Sequence, residues 1–319
     1  MRDDLSIGGT LIRPGEQCSL ELQVSRLPSG TPIHMPVHVF RSRNEGPAIL
    51  LSGGMHGDEV NGIEIIRKFL KSGIASQIRR GSIIAMPIIN VYGFINFSRD
   101  VPDGKDVNRS FPGNPDGSLA SMVAHTMSTC ILPEIDFGID FHTGGASRTN
   151  YPQIRYEEDD ELAEEVSRAF AAPFTLHSNV IEGSFRETAR SLGKSVMVFE
   201  GGETLRLDRK TVEEGLDGIK RVLQYYGMIN KAPKQRQKQR FFRRSTWLRA
   251  DVSGLFRHRK ESGQAVKEGL TLGYISSPTN EYSVKMKSPV TGHIIGHNNF
   301  PLIHKGDALF HIGYEETAP

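Results

Sequence analysis

A histidine and a glutamate three residues apart could bind one metal ion. His56 and Glu59 fall at the end of a glycine-rich loop and in the first predicted helical turn, so both side chains can point at one atom. An imidazole nitrogen and a carboxylate oxygen are suitable zinc ligands, and a catalytic zinc commonly has three protein ligands plus water. Because the pair follows an apolar strand and begins a predicted helix, two interpretations of this junction stay open: a metal or active site, and a capped helix start with an incidental histidine.

A second pair with this spacing, His258 and Glu261, has different surroundings. It lies on a charged turn, with no apolar strand before it and no glycines around it. We therefore interpret the second pair as solvated surface. The assignment of the first pair rests on its flanking residues, because the spacing alone is weak support.

A third ligand is available at the end of another predicted strand, where Asp140 and His142 alternate with apolar residues. Side chains two positions apart on a strand point to the same face, so His142 can reach the metal and Asp140 can orient the site. A polar pair at the end of a buried strand is unfavourable unless it is used. The alternative is a hydrogen-bonded histidine in a loop.

Glu200 follows four apolar residues of a further predicted strand. A carboxylate in this position needs a partner or a raised pKa, and a raised pKa suits a general base that takes a proton from metal-activated water. A helix-capping or salt-bridge role is the alternative. Glu203, beyond two glycines, is a second candidate base, and we expect it to be more exposed.

The polar loop 99–113 is broken by proline and glycine and is too irregular for a helix or strand, which is typical of a site loop. Asn108 and Arg109 supply an amide and a guanidinium, a combination suited to a substrate carboxylate. Arg99 is a candidate for facing a developing oxyanion. A surface charge is the alternative for Arg99.

The elements that position these residues alternate between short β-branched runs and helical patterns, which predicts an α/β domain with a largely parallel or mixed sheet. The predicted strands span residues 48–51, 83–89, 135–141, 174–177 and 196–199, and the predicted helices span 58–70, 119–132, 157–170 and 208–225. The candidate ligands and the candidate base fall at strand ends. Ligands of open α/β sheets bind at such ends.

The ordered set of motifs resembles the zinc carboxypeptidase-like superfamily. Its segments Gly-Gly-Met-His-Gly-Asp-Glu-Val-Asn-Gly, Asp-Val-Asn-Arg-Ser-Phe-Pro-Gly, Asp-Phe-His-Thr-Gly and Phe-Glu-Gly-Gly resemble, more narrowly, the succinylglutamate desuccinylase/aspartoacylase family. The resemblance covers most of the chain. It implies a mixed β-sheet flanked by helices, with an appended β domain.

The same resemblance implies the roles of individual residues. The ligands of one zinc ion per chain would be His56, Glu59 and His142, with Glu200 as general base. A substrate carboxylate would be bound by Asn108 and Arg109. The resemblance leaves open which arginine faces the oxyanion, and the candidates are Arg99, Arg148 and Arg155.

The sequence changes character after residue 227. Residues 231–249 carry eight basic residues and no acidic one. We interpret residues 231–246 as a solvated basic linker between two domains; an anion or nucleic-acid contact is the alternative for this linker. The domain before it, residues 1–230, would be the hydrolase domain and includes an N-terminal β segment. The domain after it, residues 247–319, would be small, all-β and barrel-like. The last domain resembles biotinyl/lipoyl modules, but the turn 278–280 lacks the carrier lysine, which favours a structural or site-covering role.

Composition excludes several other classes. The 319 residues have 39 Lys and Arg against 37 Asp and Glu, so the chain has no overall basic field for nucleic acid. No segment predicts a signal peptide or a membrane span, and two cysteines suggest no disulfide framework. We therefore expect a cytoplasmic protein without nucleic-acid or membrane partners. The oligomeric state is open, and a homo-oligomer is allowed.

The expected activity is zinc-dependent hydrolysis of the amide bond in a small N-acyl amino acid or related amide. A metallocarboxypeptidase that acts on peptides would use the same ligand set, and an open groove would favour it. A non-catalytic protein that keeps the metal site is the third hypothesis. The presence of all four residues His56, Glu59, His142 and Glu200 argues against it.

Overall fold

A computed structural model of the chain describes residues 5–317. Residues 1–4, part of the segment in which no signal peptide is expected, and the last two residues lie outside the described part. The helices are α1 Val60–Lys71, α2 Val91–Ile95, α3 Leu119–Cys130, α4 Glu161–Phe170, α5 Phe185–Ser191 and α6 Arg209–Tyr225. Among residues 5–317, no helix is both long and apolar enough to cross a membrane.

The strands are numbered in chain order. The first ten are β1 Leu5–Ile7, β2 Thr10–Ile12, β3 Gln17–Arg26, β4 Pro32–Arg41, β5 Ala48–Gly53, β6 Ser82–Met86, β7 Phe137–Gly144, β8 Arg148–Tyr156, β9 Phe174–His177 and β10 Ser195–Glu203. The others are β11 Arg240–Arg249, β12 Gly254–His258, β13 Ala265–Val266, β14 Thr271–Ser276, β15 Ser283–Lys287, β16 Gly292–Asn298, β17 Leu302–Ile303 and β18 Ala308–Thr317.

A mixed 12-stranded sheet forms the centre of this α/β fold, in the order β13-β16-β18-β11-β9-β8-β10-β7-β5-β6-β4-β3. Strands β10, β7, β5 and β6 run parallel. Every residue of β7 is buried, as expected for a parallel strand covered on both faces. Because β5, β7 and β10 are parallel neighbours, their carboxyl ends meet at one edge of the sheet.

Helices cover both faces of the sheet, and the alternation of side chains along each strand explains the two cores. In β5, Ile49 and Leu51 join an apolar cluster that includes Ile65 of α1 and residues of α4 and α6. Leu50 points the other way, into a cluster with α3 and α5. The predicted mixed sheet flanked by helices is confirmed.

The C-terminal strands complete a smaller, barrel-like unit. Strands β15-β14-β12-β17 form a second sheet, and Phe256 and Ile275 of that sheet share an apolar core with Ile294 and Phe310 of the large sheet. The prediction of a linker over 231–246 is wrong from Arg240 onward, where β11 joins the large sheet beside β9. Phe241 and Phe242 are buried there, which explains how so basic a segment forms a strand. The division into two domains stays a prediction.

Candidate metal centre and active site

The three predicted metal ligands meet at the carboxyl edge of the central strands. His56 lies between β5 and α1, Glu59 immediately precedes α1, and His142 lies in β7. The two Glu59 oxygens are 2.7 Å from Nδ1 of His56 and 2.9 Å from Nδ1 of His142. Ligand atoms of all three buried residues lie within 4.8 Å of one another. The arrangement can offer two nitrogens and one carboxylate to a single cation.

Close packing of α1 on β7 brings Glu59 to His142. A Cβ atom at Gly62 would lie 2.2 Å from the Phe141 carbonyl oxygen, so only glycine allows this approach. The Glu59 side chain does not cap its own helix. It accepts a hydrogen bond from the backbone N–H of Thr143 at 2.9 Å instead. The start of α1 is therefore held against the end of β7.

Each imidazole is also bound through its second nitrogen. Nε2 of His142 donates to Asp140 at 2.6 Å, and the other Asp140 oxygen accepts from the Ser52 hydroxyl at 2.8 Å. Nε2 of His56 donates to Asp106 at 3.2 Å. Such carboxylate partners fix the ring orientation and the tautomer of metal-binding histidines, and leave Nδ1 as the ligand atom.

The charges of this cluster fit a divalent cation. Burial lowers the pKa of both imidazoles, but the neighbouring carboxylates raise it by more. The pKa of His56 is therefore raised, and that of His142 is raised more strongly. Although burial acts against its charge, the Glu59 carboxyl has a pKa well below its usual range because the two imidazoles face it. If both imidazoles are neutral, the carboxylates of Glu59, Asp106 and Asp140 carry three negative charges, and the Arg99 guanidinium compensates one of them. Two negative charges then remain, which are costly when buried.

Asp106 is a site residue to which the sequence analysis assigned no role. Its carboxylate binds His56, caps the short 3-10 helix Val107–Arg109 through the Asn108 N–H at 2.7 Å, and accepts two bonds from Arg99 at 2.8 and 3.1 Å. The available signal was its place in the Asp-Val-Asn-Arg motif, next to the predicted substrate residues. Its partner His56 is 50 positions away, so spacing could not reveal the contact.

We expect Asp106→Asn to weaken the binding of added Zn²⁺ about 10- to 100-fold, because the amide lacks the negative charge that makes the His56 ring a better ligand, and its NH2 group would face the Arg99 donors. Competition with a chromogenic chelator measures the change. Asp103→Asn, on the same loop and 3.9 Å from Lys105, is the matched control. An unchanged zinc affinity in Asp106→Asn would contradict this role.

Glu200 lies directly beside His142, since the two residues are Cα partners in adjacent strands. Its Oε2 atom accepts from Asn150 Nδ2 at 2.6 Å and lies 2.9 Å from Nη2 of Arg155. Of the two sequence expectations, a partner or a raised pKa, the structure therefore provides partners. Glu203, the second candidate, faces Arg206 at 3.4 Å and does not line the same cavity.

The structure places the predicted arginines differently around this site. Arg99 lies beside the three candidate metal ligands, with Nη1 3.4 Å from Glu59. Arg155 is paired with Glu200, whereas Arg148 lies 5.6 Å from the centre of the Trp247 ring.

A cavity of about 440 Å³ joins these groups. Its walls include Asn108 and Arg109, and the Asn108 Oδ1 accepts from the Phe185 N–H at 2.9 Å, which leaves its Nδ2 donors. Arg109 is exposed and has no carboxylate partner among residues 5–317. Trp247 of β11 forms part of the wall, so the C-terminal strands contribute to the cavity. Arg186, a further lining residue, was not predicted.

The other His-x-x-Glu pair does not join this site. His258 and Glu261 line a separate surface depression, where the His258 ring lies 4.6 Å from the ring of His297. Among the described residues, only the first pair belongs to a group of three that could hold a metal.

Comparisons with known proteins agree with the motifs. Residues 45–226 match the model of the succinylglutamate desuccinylase/aspartoacylase catalytic domain. A curated relative, the N-alpha-acetyl-L-2,4-diaminobutyric acid deacetylase of Halomonas elongata, is 32% identical over 207 residues, which are 62% of this chain and 59% of the relative. The alignment thus spans less than two thirds of that relative's length.

Two crystal structures are similar over nearly the whole chain. A succinylglutamate desuccinylase/aspartoacylase from Rhodobacter sphaeroides is 26% identical, with a TM-score of 0.82 over 95% of this chain and 96% of the other. A succinylglutamate desuccinylase from Silicibacter sp. TM1040 is 25% identical, with a TM-score of 0.82 over 94% and 95% of the two chains. The similarity therefore includes the C-terminal strands as well as the central sheet.

Proposed function

The chain belongs to the succinylglutamate desuccinylase/aspartoacylase family, and from that premise we propose that it is a zinc-dependent deacylase. Its substrate would be a small N-acyl amino acid, and its products a free acid and a free amino acid. The observation that carries the proposal is the buried set of His56, Glu59 and His142. A carboxylate accepts a hydrogen bond from Nε2 of each imidazole, and Glu200 lies next to His142 in the adjacent strand.

The donor set fits zinc. Two imidazole nitrogens and one carboxylate are a ligand combination of catalytic zinc sites, which keep a position open for water or substrate. His56, Glu59 and His142 would hold one ion per chain. The chemistry that zinc supplies in such a set is Lewis acidity, which polarises an amide carbonyl and makes water more acidic.

Glu200 would act as the base. Its Oε2 accepts a hydrogen bond from Asn150 and lies 2.9 Å from Nη2 of Arg155, and no described residue is hydrogen-bonded to Oε1, so Oε1 can accept a proton from water. As the oxygen of that water bonds to the acyl carbon and the carbon–nitrogen bond breaks, Glu200 would return the proton to the leaving amine. Arg99, which lies beside Glu59, would face the negative charge that develops on the carbonyl oxygen.

Asn108 and Arg109 would bind the substrate carboxylate and so orient the amide. The Arg109 guanidinium donates to the Asn108 carbonyl oxygen but has no carboxylate partner among the described residues. This favours the role, because bidentate bonds to a carboxylate suit its geometry. Trp247 on the cavity wall favours a small substrate over a peptide held in an open groove. The metallocarboxypeptidase hypothesis gains no comparable observation.

We expect the wild-type protein to release the amino acid from at least one member of a panel of N-acetyl, N-succinyl and N-formyl amino acids. Arg109→Ala should raise KM for that substrate about 10- to 100-fold, since a hydrogen bond to a charged group contributes about 1.5–3 kcal/mol. Arg206→Ala, outside the cavity, is the control. No release from any member would refute the proposed function, and an unchanged KM would refute the role of Arg109.

A further inference from the structure

We propose that Asn150 is a positioning residue for Glu200, and that strand β16 of the C-terminal part sets the place of Asn150. This inference rests on the proposed function, because it needs Glu200 to act as the base. It gives the C-terminal strands a role in the reaction that goes beyond covering the cavity.

Asn150 and Arg155 contact the same oxygen of Glu200, Asn150 through a hydrogen bond and Arg155 through an ion pair. Asn150 Nδ2 is 2.6 Å from Oε2 and Arg155 Nη2 is 2.9 Å from it. Asn150 itself is 9% exposed. One hydrogen bond and one ion-pair contact on the same oxygen hold the rotation of the carboxylate and leave the other oxygen as the acceptor. A base that is held in one orientation needs no rearrangement before it takes a proton.

A local irregularity of β8 allows both side chains to reach Glu200. Asn150 and Arg155 are five positions apart, so in a regular strand their side chains would point to opposite faces. The Cα partners of Glu200 and Gly202 in β10 are Gln153 and Asn150, so three steps along β8 match two steps along β10. The extra residue reverses the alternation, as a β-bulge does. Both side chains therefore reach one carboxylate.

Strand β16 lies against Asn150 on its other side. Gly296 is the Cα partner of Asn150, and a Cβ atom at Gly296 would lie 2.3 Å from Asn150 Oδ1. Two further bonds join β8 to the C-terminal part at Thr149 and do not involve Asn150: Ser262 Oγ donates to the Thr149 carbonyl at 2.7 Å, and Asn299 Nδ2 donates to Thr149 Oγ1 at 2.7 Å. Because Gly296 leaves only enough room for the Asn150 amide, β16 determines the position of the Asn150 side chain.

Two variants test this contact from its two sides. Asn150→Ala removes the donor to Glu200, and Gly296→Ala keeps Asn150 but forces its amide to move. For the panel substrate that the wild type hydrolyses fastest, we expect both to lower kcat about 10- to 100-fold, with KM and zinc content unchanged. A change confined to kcat separates a misplaced base from weaker substrate binding.

Asn299→Ala is the matched control, since it also removes an amide bonded to β8 but leaves Asn150 and Gly296 intact. It should keep the wild-type kcat. In a Glu200→Gln background, Asn150→Ala should cause no further loss, because the two residues act as one unit. A crystal structure of Gly296→Ala should show the Asn150 amide displaced from the Glu200 carboxylate.

The inference and the proposed function fail in different ways. A wild-type kcat in Asn150→Ala or Gly296→Ala, or an equal loss in Asn299→Ala, would overturn the positioning role while Glu200→Gln stays inactive. An unmoved amide in the Gly296→Ala crystal structure would overturn the role of β16. Full activity of Glu200→Gln would instead refute Glu200 as the base, and the inference with it.

Discussion

Replacing Glu200 by glutamine should lower kcat about 10²- to 10⁴-fold, the range that general acid–base catalysis contributes. Glutamine can still accept a bond from Asn150 or Arg155, so the side chain keeps its place, but it cannot take a proton from water. Zinc content should stay at the wild-type value, because Glu200 is not among the three ligand residues. Amino-acid release measures kcat, and elemental analysis measures zinc.

Glu203→Gln is the control for this prediction. Glu203 lies three residues further along β10 and faces Arg206 instead of the cavity, so we expect wild-type turnover. If Glu203→Gln were the inactive protein and Glu200→Gln the active one, the base would be misassigned. Loss of zinc from Glu200→Gln would also contradict the separation of base from ligands.

Glu59→Gln should remove zinc and turnover together. Glu59 faces both imidazoles, so an amide in its place would remove the one negative charge among the three ligand residues. Metal catalysis contributes several kcal/mol, and we expect kcat to fall at least about 10³-fold. The measurement pairs zinc content with amide hydrolysis.

Glu64→Gln, on the exposed side of α1 where Glu64 pairs with Arg67, should leave zinc and turnover unchanged. Stability measurements on both variants show whether Glu59→Gln is folded. A folded Glu59→Gln protein that retains one zinc ion and full activity would contradict the assignment of Glu59 as a ligand.

The sequence predicted the three candidate metal ligands because each follows or ends an apolar strand. Strands that are buried on both faces are continuous apolar runs, so polar residues at their ends stand out. Parallel strands place those ends at one edge, which is why His56 and His142 could be expected to meet although 86 positions separate them in the chain. The family resemblance that the same motifs carried is confirmed.

The residues that contact and position the candidate ligands and Glu200 were harder to predict. Strand β8, which carries Asn150 and Arg155, contains Pro152 and a reversal of its alternation, so its sequence resembles a loop. The sequence predicted a linker over the first part of β11 because its many basic residues are typical of a solvated segment. The two apolar residues Phe241 and Phe242 were too weak a signal for a strand. Asp106 depends on a contact between distant segments, which periodicity does not reveal.

The most direct test of the zinc-dependent deacylase is the zinc content of the purified protein, measured together with amide hydrolysis on the panel of N-acyl amino acids with and without a chelator. We predict about one zinc per chain and release of an amino acid that stops when the chelator removes the metal and returns when zinc is added. A protein that binds no metal, or that hydrolyses these amides equally well after its metal is removed, would contradict the central claim.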